Sequence, residues 1–541
     1  MTGAVAEATH TARYPLVRWL KGAECLLTRV ARRRVLSCFV VALVALGLRI
    51  ALLPVLPIPT PVFQDEYSYL LGGETLAKGR LANPTHPMWR FFETMHVNMQ
   101  PAYASKYPPG QAVFLALGIR LFGHPWFGVW LSMGLLCGCI CWMLQGWIPP
   151  KYALIGGLLA VLQLGVSTYW VNSYWGGAVG ACGGALVLGA LPRLAHRPST
   201  KSAVAAVLGV SILANTRPFE GGVTVLFSLL ALLWWAHKLQ RLRGLLDRRV
   251  VMPFMVGLLL TAGAIAYYNW RVTGHPLKLP YVLNQQQYGW SSAFWLASPS
   301  TPPSRFRDTA MEHLWQWDRW QTVRSRYRPL RIVRMMCESI YNTFLPGVGW
   351  LFALLALASL LLLSVLQVRL AFCLLGGFLC VLLSERYILA HYLGPVSSLF
   401  FLIPLFGLRL FRILKVRGQQ IGLVLVAILL VISVAASISA SAEKIINQEP
   451  LPYGIAFRVK VIEKLNAEPG LHLVMVRYTD HHDPHQEMVY NGADIDAQKI
   501  VWALDRGSTE NQRLFAYYPT RMVWLVQPDG PTQSITPYVR Q

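Results

Sequence analysis

The stretch PGQAVFLALGIRLFG, Pro109 to Gly123, decides how this chain is threaded. It is apolar, but it carries Arg120 and falls short of the roughly 20 residues that cross a hydrocarbon core about 30 Å thick. Read as a partly embedded helix on the outer side, it leaves about eleven apolar spans, at 36–56, 126–146, 152–170, 175–192, 202–214, 219–236, 251–269, 347–366, 370–384, 387–408 and 420–440. The basic connections Arg193–Arg197, His237 to Arg249 and Arg409 to Arg417 then lie on the side of Arg29, Arg32, Arg33 and Arg34, as the positive-inside rule requires. Counting Pro109–Gly123 as a further span would invert them.

Composition supports a membrane solvent. Of 541 residues, 54% are hydrophobic and 14% charged, against roughly 25% charged in a soluble domain. That excludes a secreted enzyme, a disordered regulator and a string of soluble modules. The net charge of +24 falls mostly between apolar runs, so it reports topology rather than nucleic-acid binding. Most of the nine cysteines lie in or beside apolar runs and suggest neither a disulfide framework nor a zinc knuckle. Run 36–56 is too long for a signal-peptide core and reads as an uncleaved anchor.

The expected architecture is an all-α polytopic protein of the cell (inner) membrane. Residues 1–35 form a cytoplasmic basic N-terminus, 36–441 the transmembrane core with outer loops 57–125 and 270–346, and 442–541 a small extracytoplasmic α/β domain. The last assignment rests on strand-like runs at Leu471–Tyr478, Lys499–Leu504 and Arg521–Gln527, with a helix-compatible stretch around Gln512–Tyr518.

On this threading the clusters suited to chemistry share the outer side. The first loop opens Phe63-Gln64-Asp65-Glu66-Tyr67-Ser68-Tyr69 and continues through His86 and His96 to Lys106-Tyr107-Pro108-Pro109. A carboxylate pair beside a membrane suits deprotonation of an acceptor; alternatively Asp65 is the N-cap of a helix reaching about Lys78, with Glu66 a first-turn dipole partner. Arg217, in Asn215-Thr216-Arg217-Pro218-Phe219-Glu220, follows an apolar run of about 20 Å and sits at depth, either clamping a phosphate or pairing with Glu220. Arg271 and His275 follow the seventh span, where anchoring beside Trp270 competes with ligand contact. His391, in the tenth span, reaches an outer cavity or is a hydrogen-bonded core histidine.

Three further features read as structure. Arginines interleaved with Trp315, Trp317 and Trp320 in the long loop suit a helix on lipid phosphates, with the Pro/Ser-rich run 298–304 a loop within it. Gly176, Gly180 and Gly184 suit close helix packing. Asp480-His481-His482-Asp483-Pro484-His485, followed by Glu487, has metal-ligand residue types at no standard spacing and reads as a polar loop.

Asp65-Glu66 directly after the first span, Tyr69 three residues on, and Lys106 with Pro108-Pro109 before a short apolar helix together resemble the GT-C glycosyltransferases. The resemblance is to the branch with dolichyl-phosphate-mannose protein mannosyltransferases and the bacterial lipid A aminoarabinose transferase, and it covers roughly the first 270 residues. It implies transfer of a sugar from a polyprenyl-phosphate donor to a glycan, lipid or protein acceptor on the outer side. Asp65 would be the general base, with Glu66 second, and Lys106 and Arg217 the foremost donor-phosphate contacts ahead of Arg271 and His275. Tyr69, His86, Asn172, Glu220 and His391 complete the candidate set. Two departures stand out: Gly110 replaces a bulky apolar residue, and the second outer loop, Tyr169 to Trp175 with Asn172 at its centre, lacks a carboxylate. No cofactor is expected and a divalent metal is not favoured. The partners are the lipid-linked donor, the bilayer and the acceptor, without nucleic acid. The alternatives are a secondary transporter, for which no repeat is evident, and a non-catalytic scaffold with an extracytoplasmic interaction domain.

Overall fold

The computed structural model describes residues 15–297, 309–416, 419–529 and 533–539. The run 298–304 and Arg417 lie outside the described residues. All eleven apolar runs contain helix, and the chain is a mostly helical multi-pass membrane protein with a small C-terminal sheet domain.

The span count differs from the expected eleven. Six described helices are long and apolar enough alone: Arg34–Ala51, Trp126–Trp147, Ala178–His196, Pro218–Lys238, Arg248–Thr273 and Ile421–Ile446. The number rises to 8 if Leu330–Phe344 with Gly349–Leu360, bent by 104°, and Ala390–Val396 with Leu399–Arg412, bent by 59°, each count as one span. Pro395 and Pro404 lie inside the second pair, where each removes a helical N–H. Pro150–Leu164 and Thr200–Ala214, with 15 residues each, and Leu366–Leu382, with 17, are apolar but short. At 1.5 Å per residue they extend about 22 to 26 Å, less than a typical hydrocarbon core.

An N-terminal helix, Pro15–Arg32, precedes the first span. Its Glu24 pairs with Lys151 at 2.5 Å and Arg412 at 2.9 Å, which ties this helix to the start of Pro150–Leu164 and the end of Leu399–Arg412. The Arg412 guanidinium, aided by Lys151, holds the Glu24 carboxyl down to about 2. Gly184 permits the close packing expected of it, because a Cβ there would collide with the Pro395 backbone.

At the far end of the first span, the loop forms a helix, Gln64–Ala77, then a small antiparallel ladder ordered Asn83–Pro84, Ala102–Ser105, Val97–Asn98. Gly110–Phe122 is helical and packs between Gln64–Ala77 and Trp126–Trp147. Gly110 donates its N–H to Asn215 O at 2.8 Å, and a Cβ would strike Thr216 and Asn215. That contact explains why a bulky residue is absent at this position.

In the tail, Ile500–Leu504, His472–Val476, Met522–Gln527 and Ser534–Pro537 lie side by side in that order, the first three parallel and the last antiparallel. Alternation along the strands sends Leu473, Met475, Val501 and Ala503 toward Phe91, Phe92 and helix Ser508–Tyr517. Val474, Val476 and Trp502 face the other way, onto Phe457, Val461 and Leu465 of helix Tyr453–Ala467. The tail also grips the first loop: Asp494 pairs with Lys78 and Arg80, Ala493 N–H donates to Glu74 at 2.9 Å, and Tyr490 stacks on Tyr67 at 4.3 Å.

Candidate functional site

A cavity of about 620 Å³ opens where the first loop, the long loop, the connection 384–392 and the tail converge. Its wall includes Asp65, Tyr69, Lys106, Arg217, Glu220 and His391, six of the eleven residues singled out from sequence.

Asp65 enters from the first turn of Gln64–Ala77, but it is not the cap. The N-cap is Phe63, and Glu66 performs the capping: its carboxylate accepts the N–H of Val62 at 2.7 Å and of Phe63 at 3.0 Å. Glu66 also accepts the N–H of Tyr174 at 2.8 Å, so it braces the second outer loop against the first. Consecutive helical residues point about 100° apart, which turns Asp65 to the cavity while Glu66 is 2% exposed beneath it.

Asp65 accepts a hydrogen bond from the Tyr107 hydroxyl, with His96 Nε2 at 3.8 Å. Burial pushes its carboxyl above the usual range, against the opposing pull of Lys106 and Arg217. Lys106 follows strand Ala102–Ser105 and lies 2.7 Å from His96 Nδ1, between the rings of Tyr107 and Tyr281 at 5.0 and 5.5 Å. Desolvation brings Lys106 down to about 8, with Asp65 resisting that fall. Burial, reinforced by Lys106, keeps His96 well below its ordinary range, which makes it a neutral acceptor for the ammonium. Tyr69 stacks on Tyr107 at 4.3 Å and completes this wall.

Arg217 sits before helix Pro218–Lys238, with Nη1 3.7 Å from Glu220 Oε1 and its guanidinium 4.8 Å over the Tyr392 ring. The pair expected with Glu220 is therefore present, yet 3.7 Å exceeds a hydrogen bond. His391 takes the core arrangement, its Nδ1 2.7 Å from the Tyr169 hydroxyl, while still lining the cavity.

The other five candidates lie elsewhere. His86 is 3.0 Å from Asp496 at the junction with the tail. Asn172 accepts from Arg49 Nε at 3.2 Å and donates to Val166 O at 2.8 Å, which makes it a loop brace. Arg271 and His275 are exposed and outside the wall: Arg271 contacts Tyr267 at 3.3 Å, and His275 caps Leu277 N–H at 3.2 Å. Helix Arg248–Thr273 ends at Gly274 in a left-handed turn, and the donor-phosphate reading does not extend to these two residues. Glu66 completes the five.

Asp318, Glu385, Arg386 and His485 of the cavity wall were not candidates from sequence. Glu385 and Arg386 come from a short connection, the signal being two charges between apolar runs. Asp318 pairs with Arg386 at 2.5 Å, and Arg386 also donates to Thr322 Oγ1 at 2.5 Å, pinning helix Thr309–Tyr327 to the core. His485, from the segment read as a polar loop, reaches the cavity with Gln64 Nε2 at 3.4 Å and Trp317 at 4.5 Å. Its neighbour His482 instead pairs with Asp529 at 2.7 Å. Among the described residues, no group of three or more His, Cys, Asp or Glu is placed to hold a metal ion.

This arrangement can accept a proton at Asp65 and compensate negative charge with Lys106 and Arg217 in one partly apolar cavity.

No family model matches the sequence, and no curated protein matches it. Among solved structures, the chain is similar to the Archaeoglobus fulgidus oligosaccharyltransferase in complex with Zn and sulfate, at a TM-score of 0.49 and 10% identity over 91% of this chain and 67% of that one. It is similar to ArnT from Cupriavidus metallidurans bound to undecaprenyl phosphate, at 0.49 and 13% identity over 90% of this chain and 92% of that one. The archaeal oligosaccharyltransferase AglB in complex with an inhibitory peptide and a dolichol-phosphate gives 0.39 and 11% over 91% and 69%. Both kinds of neighbour are GT-C superfamily membrane glycosyltransferases.

Proposed function

We propose that this protein is a membrane glycosyltransferase that moves a sugar from a polyprenyl-phosphate donor to an envelope acceptor on the extracytoplasmic side. The observation that carries this reading is a partly buried carboxylate, Asp65, sharing a cavity with two cations, Lys106 and Arg217. Asp65 takes the proton of an acceptor hydroxyl or amine as the acceptor atom attacks the anomeric carbon. The bond from that carbon to the phosphate oxygen breaks, and the electron pair leaves with polyprenyl phosphate. Lys106 and Arg217 compensate the charge that builds there. Direct displacement inverts the anomeric centre. On this reading the N-terminus is cytoplasmic and the tail lies outside an inner membrane, an orientation that the distribution of the basic connections supports.

The test uses purified full-length protein with polyprenyl-phosphate sugars and follows release of polyprenyl phosphate. Release by the natural protein that is lost in Asp65→Asn supports the reading. Absence of release with every donor and acceptor offered, on folded protein, overturns it.

A further inference from the structure

Glu385 is 5% exposed, lines the cavity, and its Oε1 has no hydrogen-bond partner among the described residues. An oxygen in that state has given up its hydration without a replacement hydrogen bond, so a position that keeps it calls for a ligand or a water. The backbone around it is held firmly. Glu385 forms an antiparallel bridge with Phe294, Arg386 N–H donates to Ala293 O at 2.9 Å, and Trp295 N–H donates to Ser384 O at 3.2 Å. The Arg386–Asp318 pair then fixes the same connection from the side, so the carboxyl is presented by a rigid frame rather than a loose loop. The same cavity wall carries the rings of Tyr281, Tyr392, Phe294 and Trp290, with Phe294 directly opposite Glu385 in the bridge.

From this frame, the open carboxyl and the aromatic wall, we infer that Glu385 is the specificity-determining contact for hydroxyl groups of the transferred sugar. The inference deepens the proposed function and rests on it. Aromatic faces with few polar groups suit a sugar ring, which is apolar across its C–H faces and polar around its edge. Burial, with the charge of Glu220 adding to it, pushes the Glu385 carboxyl well above the usual carboxylate range, which favours the protonated form that can both donate and accept. That pair of capacities matches a sugar hydroxyl, and a neutral acid at this point does not compete with the donor phosphate for Arg217.

The experiment measures binding of bare polyprenyl phosphate and of polyprenyl-phosphate glucose, mannose and N-acetylglucosamine to the full-length protein in nanodiscs. The natural protein should hold at least one sugar-bearing lipid about tenfold tighter than the bare lipid. Glu385→Leu should abolish that increment while holding bare polyprenyl phosphate as before, and Glu385→Gln, which can still donate and accept, should retain part of it. If Glu385→Leu does not fold, Glu385→Gln with an altered preference among the three sugars supports the same conclusion. An unchanged increment and preference in the folded variants overturns the inference, as does a natural protein with no increment, in which a water satisfies Glu385. Failure of the natural protein to bind any of the four lipids refutes the glycosyltransferase reading instead, so the two failures are distinct.

Discussion

Asp65→Asn is the substitution on which the mechanism stands. The amide is nearly isosteric with the carboxylate, and its oxygen can still accept from Tyr107, so the local hydrogen bond persists. What disappears is the basic oxygen, which for a general base is worth roughly 10² to 10⁴ in rate, or about 3 to 5 kcal/mol of barrier. A second effect must be separated from it. Asp65 is the charge that resists the fall of Lys106, which stands at about 8, so the variant also loses its ammonium at lower pH. At pH 7 a group at about 8 is about nine-tenths protonated, and at pH 6.5 the margin is wider, so single-turnover release of polyprenyl phosphate should be compared at pH 6.5. The variant should bind bare polyprenyl phosphate at least as well as the natural protein, because a negative charge has left the cavity. Glu66→Gln should behave differently. It puts an amide where three backbone N–H donors converge, so it should lower stability by about 1 to 3 kcal/mol and affect rate less. Folded Asp65→Asn that turns over within about threefold of the natural protein would refute the assignment and leave the acidic pair as loop structure.

Arg217→Ala and Lys106→Ala should each cost about 2 to 4 kcal/mol of transition-state stabilisation in single-turnover assays, and unchanged rates in folded variants would remove them from the phosphate site. If Arg217→Ala and Glu220→Ala instead lower Tm alike with rates intact, the 3.7 Å pair is the structural one. The pH profile of kcat/KM should be bell-shaped: the acid limb, where Asp65 loses its proton, lies above the ordinary carboxylate range because burial raises it, and activity falls again as Lys106 deprotonates near 8. A flat profile through pH 9 would exclude Lys106 as a required cation. Protease applied to intact spheroplasts should remove the 442–541 tail, and protection until the membrane is breached would invert the topology. His485→Ala should slow transfer without lowering Tm if the tail completes the cavity, whereas an unchanged rate would confine the tail to bracing.

The helices and tail strands were legible because their signals are local: an apolar run ends near its basic flank, and short, nearly continuous apolar runs mark His472–Val476 and Ile500–Leu504, which are buried along their whole length. The span count was not, because hydropathy reports how apolar a run is and not whether Pro395 and Pro404 bend it or whether 15 residues cross. Asp65 and Lys106 could be associated in advance because they share one loop with a recognisable order of residues. The cap was misplaced since Glu66 reaches back to Phe63, a choice between neighbouring acids that sequence leaves open. Asp318, Glu385 and His485 meet only through tertiary contacts among the long loop, a helix connection and the tail, and no spacing encodes such a meeting.

The tail and the Asp65 helix form one mechanical unit. Tyr67, Glu74 and Lys78 fall on one face of that helix and its cap, and they meet Tyr490, Ala493 and Asp494 respectively. Asp65 faces the cavity, so the tail braces the helix from a surface other than the one that presents the carboxylate. Removing the tail would expose that surface together with Phe91 and Phe92, and the helix carrying Asp65 would lose its seat. Loss of activity on deletion would then follow from either an enzyme or a scaffold role, and only retained activity would be informative. Point changes separate the two, because His485 touches the cavity while Asp494 touches only the brace. A catalytic contribution from the tail has to appear at the first position with the second intact.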